Sequence, residues 1–278
     1  MIVYIQYFVG VFLVWKLKSH FVITFSLLLI LLTACGVGSA IEYTQITTNT
    51  SDQYCPSIWG NYIVWQDTRN GGSDIYLQNL ETKVQTRVTK GVEAASPVIS
   101  GNRIVWQDYR NGNKDIYMYD ICTEETTRIT TNTSDQTNPS IYGNLIVWQD
   151  ARNGGFDIYL HDLCNKRETR ITTDGNSSNP AIYCNKIVYE NMNLCMYDIS
   201  TKNETVIANG DPTCPQIYCN WIIWNDYYKE PVTLLYDFST NKYIKLPFNH
   251  VECPAIYSNK IVWHDNRNGN WDIYMAQI

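Results

Sequence analysis

Ile63-Val64-Trp65-Gln66-Asp67-Thr68-Arg69-Asn70-Gly71, followed by Asp74-Ile75-Tyr76, is the stretch on which the fold turns. The same unit returns about every 41 residues, in full at Trp65, Trp106, Trp148 and Trp263 and in degraded form at Tyr189 and Trp224. A period of that length is the mark of a repeat architecture, and it constrains the whole chain before any single residue is weighed. Within one copy, Pro56-Ser57-Ile58-Trp59-Gly60 reads as a short strand opened by proline. Tyr62-Ile63-Val64-Trp65 is a β-branched and aromatic run suited to a half-buried pleated surface. Asn70-Gly71 predicts a two-residue type I′ hairpin. Asp74-Ile75-Tyr76-Leu77 is the returning strand, and Thr86-Arg87-Val88-Thr89 a fourth, more polar one. Four short antiparallel strands per repeat, with no helical period between them, make one propeller blade.

The inner strands are predicted to start at Pro56, Pro97, Pro139, Pro180, Pro215 and Pro254, which gives six blades. The last copy ends after its third strand, Asp272-Ile273-Tyr274-Met275. The missing fourth strand stands at the other end of the propeller: Tyr43-Thr44-Gln45-Ile46-Thr47-Thr48 matches Thr127-Arg128-Ile129-Thr130-Thr131. The reading is an all-β, six-bladed β-propeller over residues 41–278, closed by its N-terminal strand, which hides two sheet edges. These segments resemble the TolB-type, WD-repeat-like propeller repeats of bacterial TolB and of archaeal and bacterial cell-surface proteins. That resemblance covers all six blades. It implies a binding surface or an envelope scaffold and no shared catalytic set.

Residues 1–40 read as a leader. Phe21 to Leu32 fits the apolar core of a signal peptide, and Leu32-Thr33-Ala34-Cys35-Gly36 resembles a lipoprotein processing site with Cys35 as the lipidated residue. Cleavage after Ala40 and a retained membrane anchor are the alternatives. Each of the three places the propeller outside the cytoplasm, as a secreted protein or one attached to the membrane through the leader or a lipid.

The formal net charge is −6, and loss of the leader removes Lys16 and Lys18 but no acid, leaving −8. That sign argues against nucleic acid and anionic membranes and is compatible with cations, basic peptides or neutral glycans. Beyond Cys35 there are eight cysteines without a C-x-x-C pair, so a zinc site of ordinary spacing is not expected. Cys55, Cys214 and Cys253 each precede a blade-opening proline, in blades one, five and six, which are consecutive around the ring. Equivalent positions in adjacent blades approach near the channel, so a pair among these three is favoured over Cys122 with Cys164.

The repeated hairpin residues are Asp67, Arg69 and Asp74; Asp108, Arg110 and Asp115; Asp150, Arg152 and Asp157; Asp265, Arg267 and Asp272. Two carboxylates around a turn suggest a metal, but the arginine between them opposes one, and the expectation is structural Asp–Arg pairing across the turn. A second set of acids, Asp52, Glu93, Asp135, Asp174, Asp211 and Glu252, places one carboxylate in each loop leading to an inner strand. They suggest a ring at the channel mouth that would draw Ca²⁺, Mg²⁺ or a basic group. Tyr227 and Tyr228, which replace the turn in blade five, form a candidate recognition loop. Beyond the leader the histidines are His161, His250 and His264, well separated in sequence, and no nucleophile elbow or phosphate loop appears. The function expected is non-catalytic: a monomeric propeller presenting a face to an envelope protein, a glycan or a cation. A TolB-like scaffold that docks envelope proteins, and a glycan-active lyase or hydrolase using the channel-mouth acids, are the alternatives.

Overall fold

A computed structural model describes residues 42–228, 230–248 and 251–278. Six four-stranded antiparallel sheets follow one another, and among the described residues there is no helix. The inner strands are Gln53–Trp59, Ala94–Ser100, Gln136–Tyr142, Ser178–Tyr183, Pro212–Tyr218 and Glu252–Tyr257. Each runs from a face bearing the long hairpin loops, here the hairpin face, toward an opposite face of tight turns. Neighbouring inner strands touch around the full circle, including the first with the last.

The closing strand is where the repeat predicts it. Tyr43–Gln45 pairs with Asp272–Gln277 as the outer strand of blade six, with Thr44 opposite Met275. Gln45 donates to the Asp272 carboxylate at 2.9 Å, and Thr47 adds a hydroxyl hydrogen bond at 3.2 Å. Chain start and chain end of the propeller are thereby held in one sheet.

The tryptophans join blade to blade. Trp106 packs on Val64, Ile75 and Leu77 of blade one, and Trp65 packs on Ala255, Val262 and Ile273 of blade six. Trp148 and Trp224 repeat the arrangement on blades two and four, and Tyr189 on blade three. All five are fully buried, so the sequence period of one aromatic per blade is the period of the inter-blade core.

Two local expectations are corrected. First, the prolines do not open the inner strands. Each strand begins two or three residues earlier, and the proline belongs to a bulge: in blade one the register shifts between Tyr54 and Ser57. The same shift recurs in the other five blades. The residue before each proline is left-handed, with φ of +48° at Cys55, +53° at Ser96, +48° at Asn138 and Asn179, +52° at Cys214 and +44° at Cys253. A bulge tolerates proline because the extra residue leaves the ladder there.

Second, Asn70-Gly71 is not a two-residue type I′ hairpin. Asp67 and Asp74 are the last facing pair, so six residues intervene. The loop holds one turn closed by Gly71 N–H donating to the Thr68 carbonyl at 3.1 Å, with Gly71 alone of that pair at positive φ, +81°. Asn70 instead extends its side chain to the Tyr76 hydroxyl, donating at 2.7 Å.

Deleting residues 42–47 should expose the outer edge of Asp272–Gln277 and strip Asp272 of its two side-chain donors. The expected result is a broadened, early denaturation curve and concentration-dependent association in size-exclusion chromatography. A sharp monomeric transition at the wild-type midpoint would refute the closure.

Candidate functional site

Each complete hairpin is a self-contained charge cluster. In blade one the Asp67 carboxylate is fully buried. It accepts Trp65 Nε1–H at 2.8 Å, Arg69 N–H at 2.9 Å and the Arg69 guanidinium at 2.5 Å. That guanidinium lies 4.3 Å from the Tyr76 ring centroid, and Tyr76 in turn stacks on Trp65. Hydrogen bonds to Asp67 pull the Arg69 pKa further up. Asp108 with Arg110 and Asp150 with Arg152 repeat the pattern. Asp265 with Arg267 keeps the ion pair and the stacked ring, but Trp263 Nε1 has no acceptor among the described residues.

The second aspartate of each hairpin takes a different arginine from the one its spacing suggests. Asp74 pairs with Arg87 of the outer strand at 2.6 Å, Asp115 with Arg128 at 2.7 Å and Asp157 with Arg170 at 2.6 Å. The expected single pairing across the turn is thus two ion pairs per blade. In blade six Gln45 and Thr47 replace the second arginine at Asp272. The missed arginines were signalled by the Thr-Arg-Ile/Val-Thr run, which stands at a fixed distance after the aspartate in blades one to three.

The six loop acids lie on the hairpin face but are not brought together. Asp52 accepts Trp271 N–H of blade six at 3.0 Å and the Tyr54 hydroxyl at 2.9 Å. Asp135 accepts Lys114 N–H of blade two at 2.9 Å. These two therefore tie one blade's loop to the preceding blade's hairpin. Asp174 accepts Asn176 N–H, Ser177 Oγ–H and, at 2.7 Å, Asn191 Nδ2–H. Glu93 lies against Gly72, where a Cβ would stand 3.1 Å from its carboxylate. Asp211 contributes its carbonyl to Tyr227 N–H at 3.3 Å, and Glu252 accepts the Tyr227 hydroxyl at 3.0 Å. Among the described residues no three His, Cys, Asp or Glu side chains converge as a metal-holding group. The expected Ca²⁺ or Mg²⁺ site at the channel mouth therefore has no ligand set among them.

The channel is built by the bulges. A cavity of ≈ 240 Å³ is lined by Cys55, Ser96, Asn138, Asn179, Cys214 and Cys253 together with the prolines that follow them. The backbone N–H of a bulge residue is captured by the preceding blade. Asn138 donates to Gln107 at 3.0 Å, Asn179 to Gln149 at 2.8 Å, Cys214 to Glu190 at 2.8 Å and Cys55 to His264 Nδ1 at 3.3 Å. Burial pushes Glu190 up, and it lowers the His264 pKa to about 4. At neutral pH His264 is an uncharged acceptor, as Gln107 and Gln149 are. All eight described cysteines are free; the favoured trio is close, with Cys253 Sγ 3.1 Å from Cys214 Sγ and 3.9 Å from Cys55 Sγ.

At the turn face a closed chain of five rings surrounds the channel end. Trp59 meets Tyr257 at a centroid distance of 4.9 Å and Tyr142 at 6.1 Å. Tyr142–Tyr183, Tyr183–Tyr218 and Tyr218–Tyr257 follow at 4.6, 5.1 and 4.9 Å. Ser100 occupies the sixth position, and Trp59 reaches across it. Sequence reasoning overlooked this set, although each ring closes an inner strand.

Blades four and five depart from the repeat on the hairpin face. In blade four Met192 alone links its two central strands, at φ +53° and 83% exposed. In blade five Tyr228 is 71% exposed, while Tyr227 borders a pocket of ≈ 310 Å³ with Asn225, Pro231, Phe248, Val251 and Glu252. Cys35, the leader and His250 lie outside the described residues.

Replacing Arg152 by Met would leave the buried Asp150 without its counter-ion. A loss of about 3 kcal/mol in urea unfolding is expected, against under about 0.5 kcal/mol for the exposed Lys90→Ala. Near-equal losses would reject the clasp. His264 gives a pH signature: its folded pKa of about 4 lies below the unfolded value near 6.5, so the unfolded chain binds the extra proton. The stability it contributes is complete above pH 6.5 and declines as pH falls toward 4, by about 2 kcal/mol at pH 5. His264→Gln should flatten that part of the stability–pH curve, and an unchanged slope would contradict the buried neutral imidazole.

No curated protein matches this sequence. Among solved structures, TolB from Acinetobacter baumannii is 19% identical with a TM-score of 0.63; the match covers 76% of this chain but spans only 58% of that one. A putative TolB from Agrobacterium tumefaciens is 15% identical, TM-score 0.65, covering 86% of this chain and 97% of that one. An oligogalacturonate lyase from Vibrio parahaemolyticus is 11% identical, TM-score 0.60, covering 87% and 95%. At these identities the likeness is one of fold. The family model described as the TolB beta propeller domain matches residues 44–215, well over half of the chain, with its hairpin clusters and buried tryptophans. The chain belongs to the TolB beta propeller domain family.

Proposed function

We propose that this protein is a non-catalytic binding propeller, held outside the cytoplasm, whose hairpin face over blades four to six receives a protein or glycan partner. The observation that carries this reading is where the repeat fails. In blades one to three every hairpin carboxylate is neutralised by a guanidinium of its own blade. In blades four and five that clasp is replaced by exposed Met192 and by exposed Tyr228, whose neighbour Tyr227 borders a pocket with Glu252 at its wall. Exposed methionine and tyrosine next to unclasped acids are the surface composition of a recognition patch. The apolar leader with its Cys35 processing sequence supports an extracytoplasmic, membrane-attached or secreted location. Docking of other envelope proteins, as a scaffold, is the same reading with a protein as the partner.

The test is retention of envelope proteins and extracellular polysaccharides on the immobilised protein. The comparison is with a Met192→Ser, Tyr228→Ala double variant and with Glu252→Gln. Retention weakened by about tenfold, or about 1.4 kcal/mol, at an unchanged unfolding midpoint is expected. Equal retention by all three proteins would move the site off this face. Release of unsaturated or shortened sugars from any polysaccharide would replace the binding reading with the lyase or hydrolase alternative.

A further inference from the structure

Half of the bulge positions in the channel are thiols, and they are not scattered. Cys214, Cys253 and Cys55 come from blades five, six and one, three neighbours on the ring. The remaining positions, Ser96, Asn138 and Asn179, are hydrogen-bonded to one another through their side chains. The thiols form an arc with Cys253 in the middle, its sulfur 3.1 Å from Cys214 Sγ and 3.9 Å from Cys55 Sγ. All three are half-buried and line the ≈ 240 Å³ cavity, so a small molecule in the channel meets them directly.

A disulfide requires its sulfurs about 2.05 Å apart. Cys253 Sγ is within about one ångström of that distance with Cys214 Sγ and about two with Cys55 Sγ. A sulfur makes one such bond at a time. Bonding to one neighbour therefore always leaves the other as a thiol in contact with the new disulfide, which is the geometry thiol–disulfide exchange needs.

We propose that Cys55, Cys253 and Cys214 form a thiol–disulfide exchange site in the channel, with Cys253 as the shared sulfur and a low-molecular-weight disulfide as its oxidant. The Cys55 thiolate attacks the small disulfide RSSR; a Cys55–SR bond forms, the S–S bond of RSSR breaks, and RSH leaves with the proton from Cys55. The Cys253 thiolate attacks Cys55 Sγ; a Cys55–Cys253 bond forms and the second RSH departs with the Cys253 proton. Two thiols have lost two electrons and RSSR has gained them. The Cys214 thiolate then attacks Cys253 Sγ, forming Cys214–Cys253 and freeing Cys55, which takes the proton Cys214 gave up; this last step involves no net oxidation. The side-chain contact with Cys253 draws the Cys55 thiol below its ordinary value, while Cys253 itself is pushed up, which fits Cys55 as the first nucleophile.

The site is independent of the hairpin-face reading, and its test needs no partner. The purified protein is incubated with oxidised glutathione, quenched in acid, alkylated with N-ethylmaleimide after denaturation, and mapped by peptide mass spectrometry. Wild type should carry one bond per molecule within the trio, as a mixture of Cys55–Cys253 and Cys214–Cys253, and no Cys55–Cys214. Cys214→Ser should hold Cys55–Cys253, Cys55→Ser should yield Cys214–Cys253 more slowly, and Cys253→Ser should accumulate glutathione on Cys55. Near-UV circular dichroism of the buried tryptophans confirms the fold of each variant. Three freely alkylated thiols in oxidised wild type, or a Cys55–Cys214 bond, would overturn the site. A single wild-type linkage that Cys214→Ser does not redirect would overturn the exchange.

Discussion

The propeller depends on a backbone irregularity repeated six times. At each bulge one non-glycine residue adopts a left-handed φ just before a proline, a conformation that costs on the order of 1 kcal/mol or more where nothing holds it. It persists because the proline excludes the ordinary ladder geometry and, at four of the six positions, because the preceding blade captures the N–H. The bulge thereby aims one side chain at the channel axis and fixes the spacing of adjacent blades. The buried aromatic of blades one to five completes the same contact further out, packing against the strands of the preceding blade.

Outside the channel the chemistry of the repeat is inward-looking. Asp67, Asp108 and Asp150 bind indole, backbone and guanidinium at once, and the arginine stacks on a tyrosine that is itself stacked on the tryptophan. Such a cluster is strong because every polar atom in it has a partner, and for that reason little of it is left for a ligand. Recognition is then expected where the cluster has been dismantled. Blade five keeps Trp224 but has no arginine at the turn, and the indole nitrogen has no acceptor among the described residues.

The fold was legible because a period of about 41 residues, with a tryptophan and an Asn-Gly in each of its four full copies, has few other physical interpretations. The closing strand was legible for the same reason, since Gln45 and Thr47 stand where Arg128 and Thr130 stand in an intact copy. What misled was chemistry that depends on a neighbour. Pro56 looks like a strand start until the bulge is seen, and Asn70-Gly71 looks like a tight turn until Tyr76 is seen to hold the asparagine. The contacts of the loop acids were not legible: a sequence shows that Asp52 and Asp135 are carboxylates but not that Trp271 and Lys114 N–H groups face them. The cysteine arc, with Cys253 of blade six in the middle, was visible by aligning repeats, whereas the closeness of its sulfurs was not.

The aromatic rosette rims the turn-face end of the channel, with Trp59, Tyr142, Tyr183, Tyr218 and Tyr257 in mutual contact there. A small molecule that approaches from the opposite end passes the hairpin loops before it meets the bulge residues. A large partner seated over those loops would therefore act as a lid on that side, slowing the departure of a small molecule already inside and the entry of the next. Traffic past the hairpin loops and occupancy of the face are thus coupled by geometry alone, with no movement of the blades required.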